Sequence, residues 1–127
     1  MINNFLIISC IGKDDKLGLR INKEFFIHNF NHSKNKYNNL VSEIFNFITF
    51  KGAKLDKHFS VIVNQGPGSF SGVRISLAIA KGLEITKNVK LFGFKNTDLS
   101  EFNKENVEKL LNENLIEKNL IQPIYLS

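Results

Sequence analysis

Val63-Asn64-Gln65-Gly66-Pro67-Gly68-Ser69-Phe70-Ser71-Gly72-Val73-Arg74-Ile75 is the stretch that decides the fold. It reads as the end of a strand, a glycine-rich loop and the start of a helix. Such a loop directs free backbone amides and the positive end of a helix toward one point, which suits phosphate. The known phosphate motifs do not fit. A P-loop needs Lys and then Ser or Thr after its closing glycine, and here Val73 follows Gly72. The dinucleotide fingerprint G-x-G-x-x-G also fails, because Gly66, Gly68 and Gly72 are spaced one residue too long. Pro67 removes an amide that an anion could use. Two readings stay open. One is a tight turn, with glycines in unusual dihedrals and Ser69 or Ser71 capping the helix. The other is contact with a phosphate.

Working outward, Phe59–Val63 reads as a β-branched strand before the loop, Val73–Ile85 as a helix after it, and Val89–Phe94 as a further strand. Upstream, Phe5–Ser9 is a short apolar run fit for a buried strand. Leu17–Ile21 alternates, with Leu17, Leu19 and Ile21 on one side. Glu24–Phe30 follows across the polar turn Asn22-Lys23, so these strands form an antiparallel meander. Ser33 is placed to cap a helix, and Tyr37, Leu40, Val41, Ile44, Phe45, Phe47 and Ile48 recur at helical spacing up to Gly52. Val107, Leu110, Leu111 and Leu115 mark a last helix within Leu99–Leu115. The expected order is β-β-β-α-β-α-β-α, an α/β fold with a mixed sheet and helices against it. That is the layout of a ribonuclease-H-like half-domain of the actin-like ATPase superfamily.

The chain has 127 residues, enough for one domain. Its net charge is +5, which favours acidic partners. Yet the cations are nearly all scattered Lys, with Arg only at Arg20 and Arg74, and no basic stripe with interleaved aromatics emerges. The single cysteine, Cys10, excludes an internal disulfide framework and lies in the apolar run Phe5–Cys10, where a buried thiol is expected. His28, His32 and His58 are scattered, so no metal site and no cofactor is expected. No signal peptide or membrane span is legible; the expected location is cytoplasmic.

The helix over Val73–Ile85 is apolar on nearly every side, interrupted only by Arg74, Ser76, Lys81, Gly82 and Glu84. Such a helix is buried on nearly every side. In the preceding helix Tyr37, Val41, Ile44 and Ile48 can face the core, while Leu40 and Phe47 lie to the side. The spare apolar surface is covered either by the Leu99–Leu115 helix or by another protein.

Gly66-Pro67-Gly68-Ser69-Phe70-Ser71-Gly72-Val73-Arg74-Ile75 resembles the signature of the TsaB (YeaZ) family, G-P-G-S-F-T-G-(L/V)-R-I, with Ser71 in place of Thr. Ala78-Ile79-Ala80-Lys81-Gly82-Leu83, His32-Ser33, Phe92-Gly93-Phe94 and Pro123-Ile124-Tyr125-Leu126 are similar to further family segments, in the right order. The resemblance covers residues 5–98 and the last few. Two departures stand out. Ser9 occupies the place of an Asp that organises metal and nucleotide in related ATPases. Leu99–Ser127 replaces a longer second subdomain with its D-A-R-x-x-E-(V/I)-Y segment.

The resemblance implies one TsaB-like (Gcp-like) N-terminal domain over residues 1–127, with a short C-terminal helical tail. It implies a non-catalytic subunit that pairs with the TsaD-type catalytic subunit through its first two helices. A TsaE-type ATPase joins the pair, and the complex places threonylcarbamoyl on tRNA, which this chain meets only through the complex. A homodimer through the same helices is a further option. Helix geometry assigns the docking face to Tyr37, Leu40, Ile44, Phe47, Arg74, Leu77, Ala78 and Lys81. The rival reading is a small actin-like nucleotide-binding enzyme or glycoprotease-like domain. It needs a carboxylate for metal or general-base work, and Asp14, Asp15, Asp56 and Asp98 stand in turns without an obvious partner.

Overall fold

The central strand fixes the layering. In the computed structural model, which describes residues 2–30, 37–118 and 121–124, β1 (Asn4–Ser9) lies mid-sheet and buries both of its faces. β2 (Lys16–Ile21) and β3 (Glu24–Asn29) extend the sheet antiparallel on one side, while β4 (Phe59–Asn64) and β5 (Lys90–Phe94) extend it parallel on the other. The strand order is β3-β2-β1-β4-β5. Three α-helices join or follow the strands: α1 (Leu40–Phe50), α2 (Phe70–Lys87) and α3 (Lys104–Asn112). The result is an α/β fold around a mixed sheet.

Each strand segment forms where the sequence leaves little choice. β1 and β4 are near-continuous apolar runs, as strands covered on both faces must be. The two-residue turn between β2 and β3 has φ of 51° at Asn22 and 72° at Lys23, the left-handed pair whose twist suits a tight hairpin. At the end of α1, Gly52 takes φ of 71°. Its N–H bonds the Thr49 carbonyl while the Ala53 N–H bonds that of Ile48, and this paired closure ends the helix.

Alternation along the strands sorts the core into two clusters. Leu6, Ile8, Leu17, Leu19, Val61 and Val63 face one way and pack with α1 and α2. Phe5, Ile7, Ile62 and Phe94 face the other and pack with Leu99, Val107 and Leu110 in and before α3. The third helix therefore covers the opposite face of the sheet and does not lie over the first two. It also starts later than its apolar spacing implies. Asn103 caps it, with Oδ1 accepting from the Asn106 N–H at 2.8 Å, whereas Leu99 is buried from outside the helix.

The phase of α1 differs from expectation too. Leu40, Ile44, Phe47 and Ile48 are buried against the sheet, and Val41 and Phe45 face outward. Apolar residues fill most of this helix's circumference, so spacing alone does not choose which side turns in. Tyr37 lies just before α1, and Ser33 is outside the described residues. No helix among the described residues is long and apolar enough to cross a membrane.

Leu110 anchors α3 and is 1% exposed, whereas Ile85 is 82% exposed. Truncating a buried Leu to Ala costs about 2–5 kcal/mol, and an exposed apolar truncation about 0.5 kcal/mol or less. Urea unfolding of Leu110→Ala and Ile85→Ala is expected to show that contrast.

Candidate functional site

The glycine-rich loop leaves β4 at Asn64 and enters α2 at Phe70. Asn64 is buried and fully engaged. Its Nδ2 donates to Ser9 Oγ and to Asn96 Oδ1, both at 3.1 Å, and its Oδ1 accepts from the Gly66 N–H at 2.9 Å. Gly66 has φ of 92°, a left-handed conformation that only glycine adopts without cost, and the Gly66–Pro67 peptide is cis. The Ser69 N–H donates to the Ile11 carbonyl at 2.7 Å, which ties the loop to the segment after β1. Ser69 Oγ then caps α2 by accepting from the Gly72 N–H at 3.3 Å.

The loop amides of Gly66, Ser69 and Gly72 are thus spent on protein acceptors, and Pro67 has none. This favours the turn reading over phosphate contact. A Cβ at Gly72 would stand 2.4 Å from the Cys10 carbonyl oxygen and 2.6 Å from the Tyr37 hydroxyl. The start of α2 therefore touches the end of β1, and only glycine permits it.

Beneath this contact sits Asp15. It is buried, its Oδ1 accepts from the Gly12 N–H at 2.8 Å, and its Oδ2 accepts from the Tyr37 hydroxyl at 2.7 Å. Asp15 is no bare turn carboxylate; it is a structural acceptor joining β1's exit to the approach of α1. Desolvation, and then the bond to Asp15, raise the Tyr37 hydroxyl above its usual range. Cys10 is buried and free. Burial first, and then the charge of Asp15, push its thiol from an ordinary 9.0 up to about 12.

Gln65 completes the frame. Its Nε2 donates to the Gln122 carbonyl at 2.9 Å, and its own carbonyl accepts from the Ile124 N–H at 2.8 Å. A Cβ at Gly93 would collide with the Gln65 side-chain oxygen at 2.4 Å, so Gly93 makes room for this clasp. Tyr125 and Leu126 are outside the described residues, as is His32.

Of the residues assigned to a docking face, Leu40, Ile44, Phe47 and Leu77 are buried in the protein's own core, and they present nothing to a partner. Tyr37 is half-buried and held by Asp15. Arg74, Ala78 and Lys81 are exposed. With Phe70 and Ile85 they line one outward side of α2, at steps of three and four residues. Phe70 is 59% exposed, and the Arg74 guanidinium lies over its ring at 4.8 Å. On α1 the outward apolar residues are Val41 and Phe45, and Phe50 projects at its end. Sequence spacing turned Val41 inward and Leu40 and Phe47 to the side, the reverse of what is seen, whereas Ile44 and Ile48 face the core as expected. The sequence reading placed Phe70 in the glycine-rich loop and Ile85 among the apolar residues of the helix.

An open cleft of about 510 Å³ lies near the C-terminal end of β1. Ser9, Lys13, Asp14, Lys16, Asn96 and Glu101 contribute to its lining. Among the described residues no group of three or more His, Cys, Asp and Glu could hold a metal ion.

Two solved structures share this architecture. YeaZ from Pseudomonas aeruginosa aligns with a TM-score of 0.68 at 15% identity, over 88% of this chain and 50% of its own. The chain carries the YeaZ fold. A second structure, of an uncharacterised protein with similarity to peptidase YeaZ from Pseudomonas aeruginosa, gives 0.68 at 15% identity, over 87% of this chain and 49% of its own. The chain thus spans about half the length of the YeaZ structures it resembles. No protein-family profile and no curated protein matches the sequence.

Substituting Gly72 forces either a backbone carbonyl or the Tyr37 ring to move. Overpacking of this kind costs about 1–3 kcal/mol, and urea unfolding of Gly72→Ala is expected to read a loss of that size. Cys10 gives a second handle. Its folded pKa is raised, so its contribution is fully present below pH 9.0 and is lost as pH climbs toward 12. The expected slope from this group is about 1.4 kcal/mol per pH unit. Wild type minus Cys10→Ala, in urea titrations across that window, is expected to show it.

Proposed function

We propose that this chain is a TsaB-like accessory subunit, a single domain over residues 1–127, that docks a TsaD-type catalytic subunit without doing chemistry itself. The observation that carries the reading is the outward side of α2. Phe70, Arg74, Ala78, Lys81 and Ile85 are exposed there, directly after the glycine-rich loop that bears the TsaB-like signature. The sheet and α3 leave this side open, because α3 packs on the opposite face. On this reading the docking surface is Phe70, Arg74, Ala78, Lys81 and Ile85 of α2 with Val41 and Phe45 of α1, around which the buried Leu40, Ile44, Phe47 and Leu77 serve as the rigid base.

The element order and the central parallel strands support a ribonuclease-H-like half-domain of the actin-like type. Within that reading the chain works in the cytoplasm, a TsaE-type ATPase joins the assembly, and tRNA is met through the complex. The alternative, an independent nucleotide-binding enzyme, would have to use the cleft by Ser9, where Asp14 and Glu101 supply the carboxylates. Saturable, magnesium-dependent ATP hydrolysis by the isolated chain is the result that would establish it.

Co-purification with the TsaD protein of the same organism tests the proposal. An equimolar complex is expected. Ala78 is exposed, so Ala78→Arg is expected to abolish pairing while circular dichroism and the unfolding midpoint stay unchanged. Undiminished pairing by Ala78→Arg would remove this face from consideration.

A further inference from the structure

Asn64 imposes a fixed hydrogen-bond polarity on the cleft at the C-terminal end of β1. Its Oδ1 accepts from the Gly66 N–H, so its Nδ2 turns the other way, toward Ser9 Oγ and Asn96 Oδ1. Both hydrogens of that amide nitrogen are then spent. Because Ser9 and Asn96 receive them, each has a donor left over: Ser9 its hydroxyl proton, Asn96 its Nδ2. Neither donor has an acceptor among the described residues. Ser9 is only 6% exposed, and both residues line the cleft. A nearly buried donor without an acceptor is disfavoured, so the cleft gains from anything that brings one.

The setting suits a small ligand. The chain leaves β1 toward β2 and leaves β4 toward β5, on opposite sides of the pair. In open α/β sheets, ligands gather outside the carboxyl ends of the strands where the order parts in this way. The cleft, about 510 Å³, has the size of a small-molecule pocket. Lys13 and Lys16 bring ammonium groups to its wall, and neither makes an ion pair among the described residues. Lys16 Nζ donates to Asn29 Oδ1 at 2.7 Å, and Lys13 is exposed. Donors with cations beside them call for an acceptor that carries negative charge. The wall also holds the exposed carboxylates Asp14 and Glu101. These balance the two ammonium groups, which suits one oxyanion group and opposes a polyphosphate.

We infer that this cleft binds a small molecule through one oxyanion group, a carboxylate or a phosphate monoester, held by Ser9 Oγ, Asn96 Nδ2 and the Lys13 ammonium. All three groups are donors and meet the anion directly, so no bridging metal ion is needed. The site is separate from the outward side of α2 and does not depend on what docks there.

NMR titration of the full chain tests this, with sodium acetate, with inorganic phosphate and with sodium chloride as the control, all at one ionic strength and without magnesium. Acetate or phosphate is expected to shift the Ser9 and Lys13 backbone amides and the Asn96 side-chain amide along a saturating curve, and chloride is not. Whichever of the two saturates at lower concentration identifies the group. Asn96→Asp keeps an oxygen for Asn64 Nδ2 but sets a charged acceptor where the donor was. It is expected to weaken binding about tenfold or more and to leave the dispersion of the spectrum unchanged. Lys13→Glu, at an exposed position, is expected to weaken binding severalfold. The inference is overturned by shifts no larger than those with chloride, or by shifts that never saturate. It is equally overturned by binding that both substitutions leave unchanged. Binding seen only with a magnesium nucleotide also overturns it, and returns the cleft to the enzyme alternative. If Asn96→Asp does not fold, Lys13→Glu decides.

Discussion

Everything on one face of the sheet depends on how closely the start of α2 approaches the end of β1. Gly72 lies against the Cys10 carbonyl and the Tyr37 ring, with no space for a Cβ. That contact brings the loop to Ile11, whose carbonyl receives the Ser69 N–H. It also sets the seat of α1, because the Tyr37 hydroxyl reaches past Gly72 to the buried Asp15. A buried carboxylate without donors is expensive. Here the Gly12 N–H and the Tyr37 hydroxyl supply them, so the charge holds three segments in one arrangement. Gly66, Ser69 and Gly72 of the signature thus each have a packing or hydrogen-bonding role.

The same geometry divides labour between the faces. α1 and α2 share one side and fill it with Leu40, Ile44, Phe47, Val73, Leu77 and Leu83. α3 closes the other over Phe5, Ile7 and Phe94. Because the short tail is occupied there, nothing within the described residues shields the outward sides of α1 and α2.

Much of this was readable from the residues. The apolar runs placed every strand within a residue or so, Asn22-Lys23 marked the hairpin, and Gly72 with Ser69 marked the turn into α2. What escaped had physical causes. Leu40, Val41, Ile44, Phe45, Phe47 and Ile48 occupy so much of α1 that periodicity could not set its phase. Leu99 and Phe102 mimic helical spacing from a loop, because they pin that loop to the α3 side of the core. Asp15 looked solvated because its donor, Tyr37, is 22 residues away. Which side of the sheet α3 takes is a matter of crossover, and no local pattern records it.

The cations beside the exposed rings have one more consequence. Arg74 covers Phe70, and Lys51 lies 5.2 Å from the ring centre of Phe50. Contacts of this sort are worth about 0.5–1 kcal/mol at exposed sites, enough to keep a hydrated charge above an apolar ring and too little to resist displacement. These loosely held cations act as removable lids, wetting the exposed aromatics without locking them.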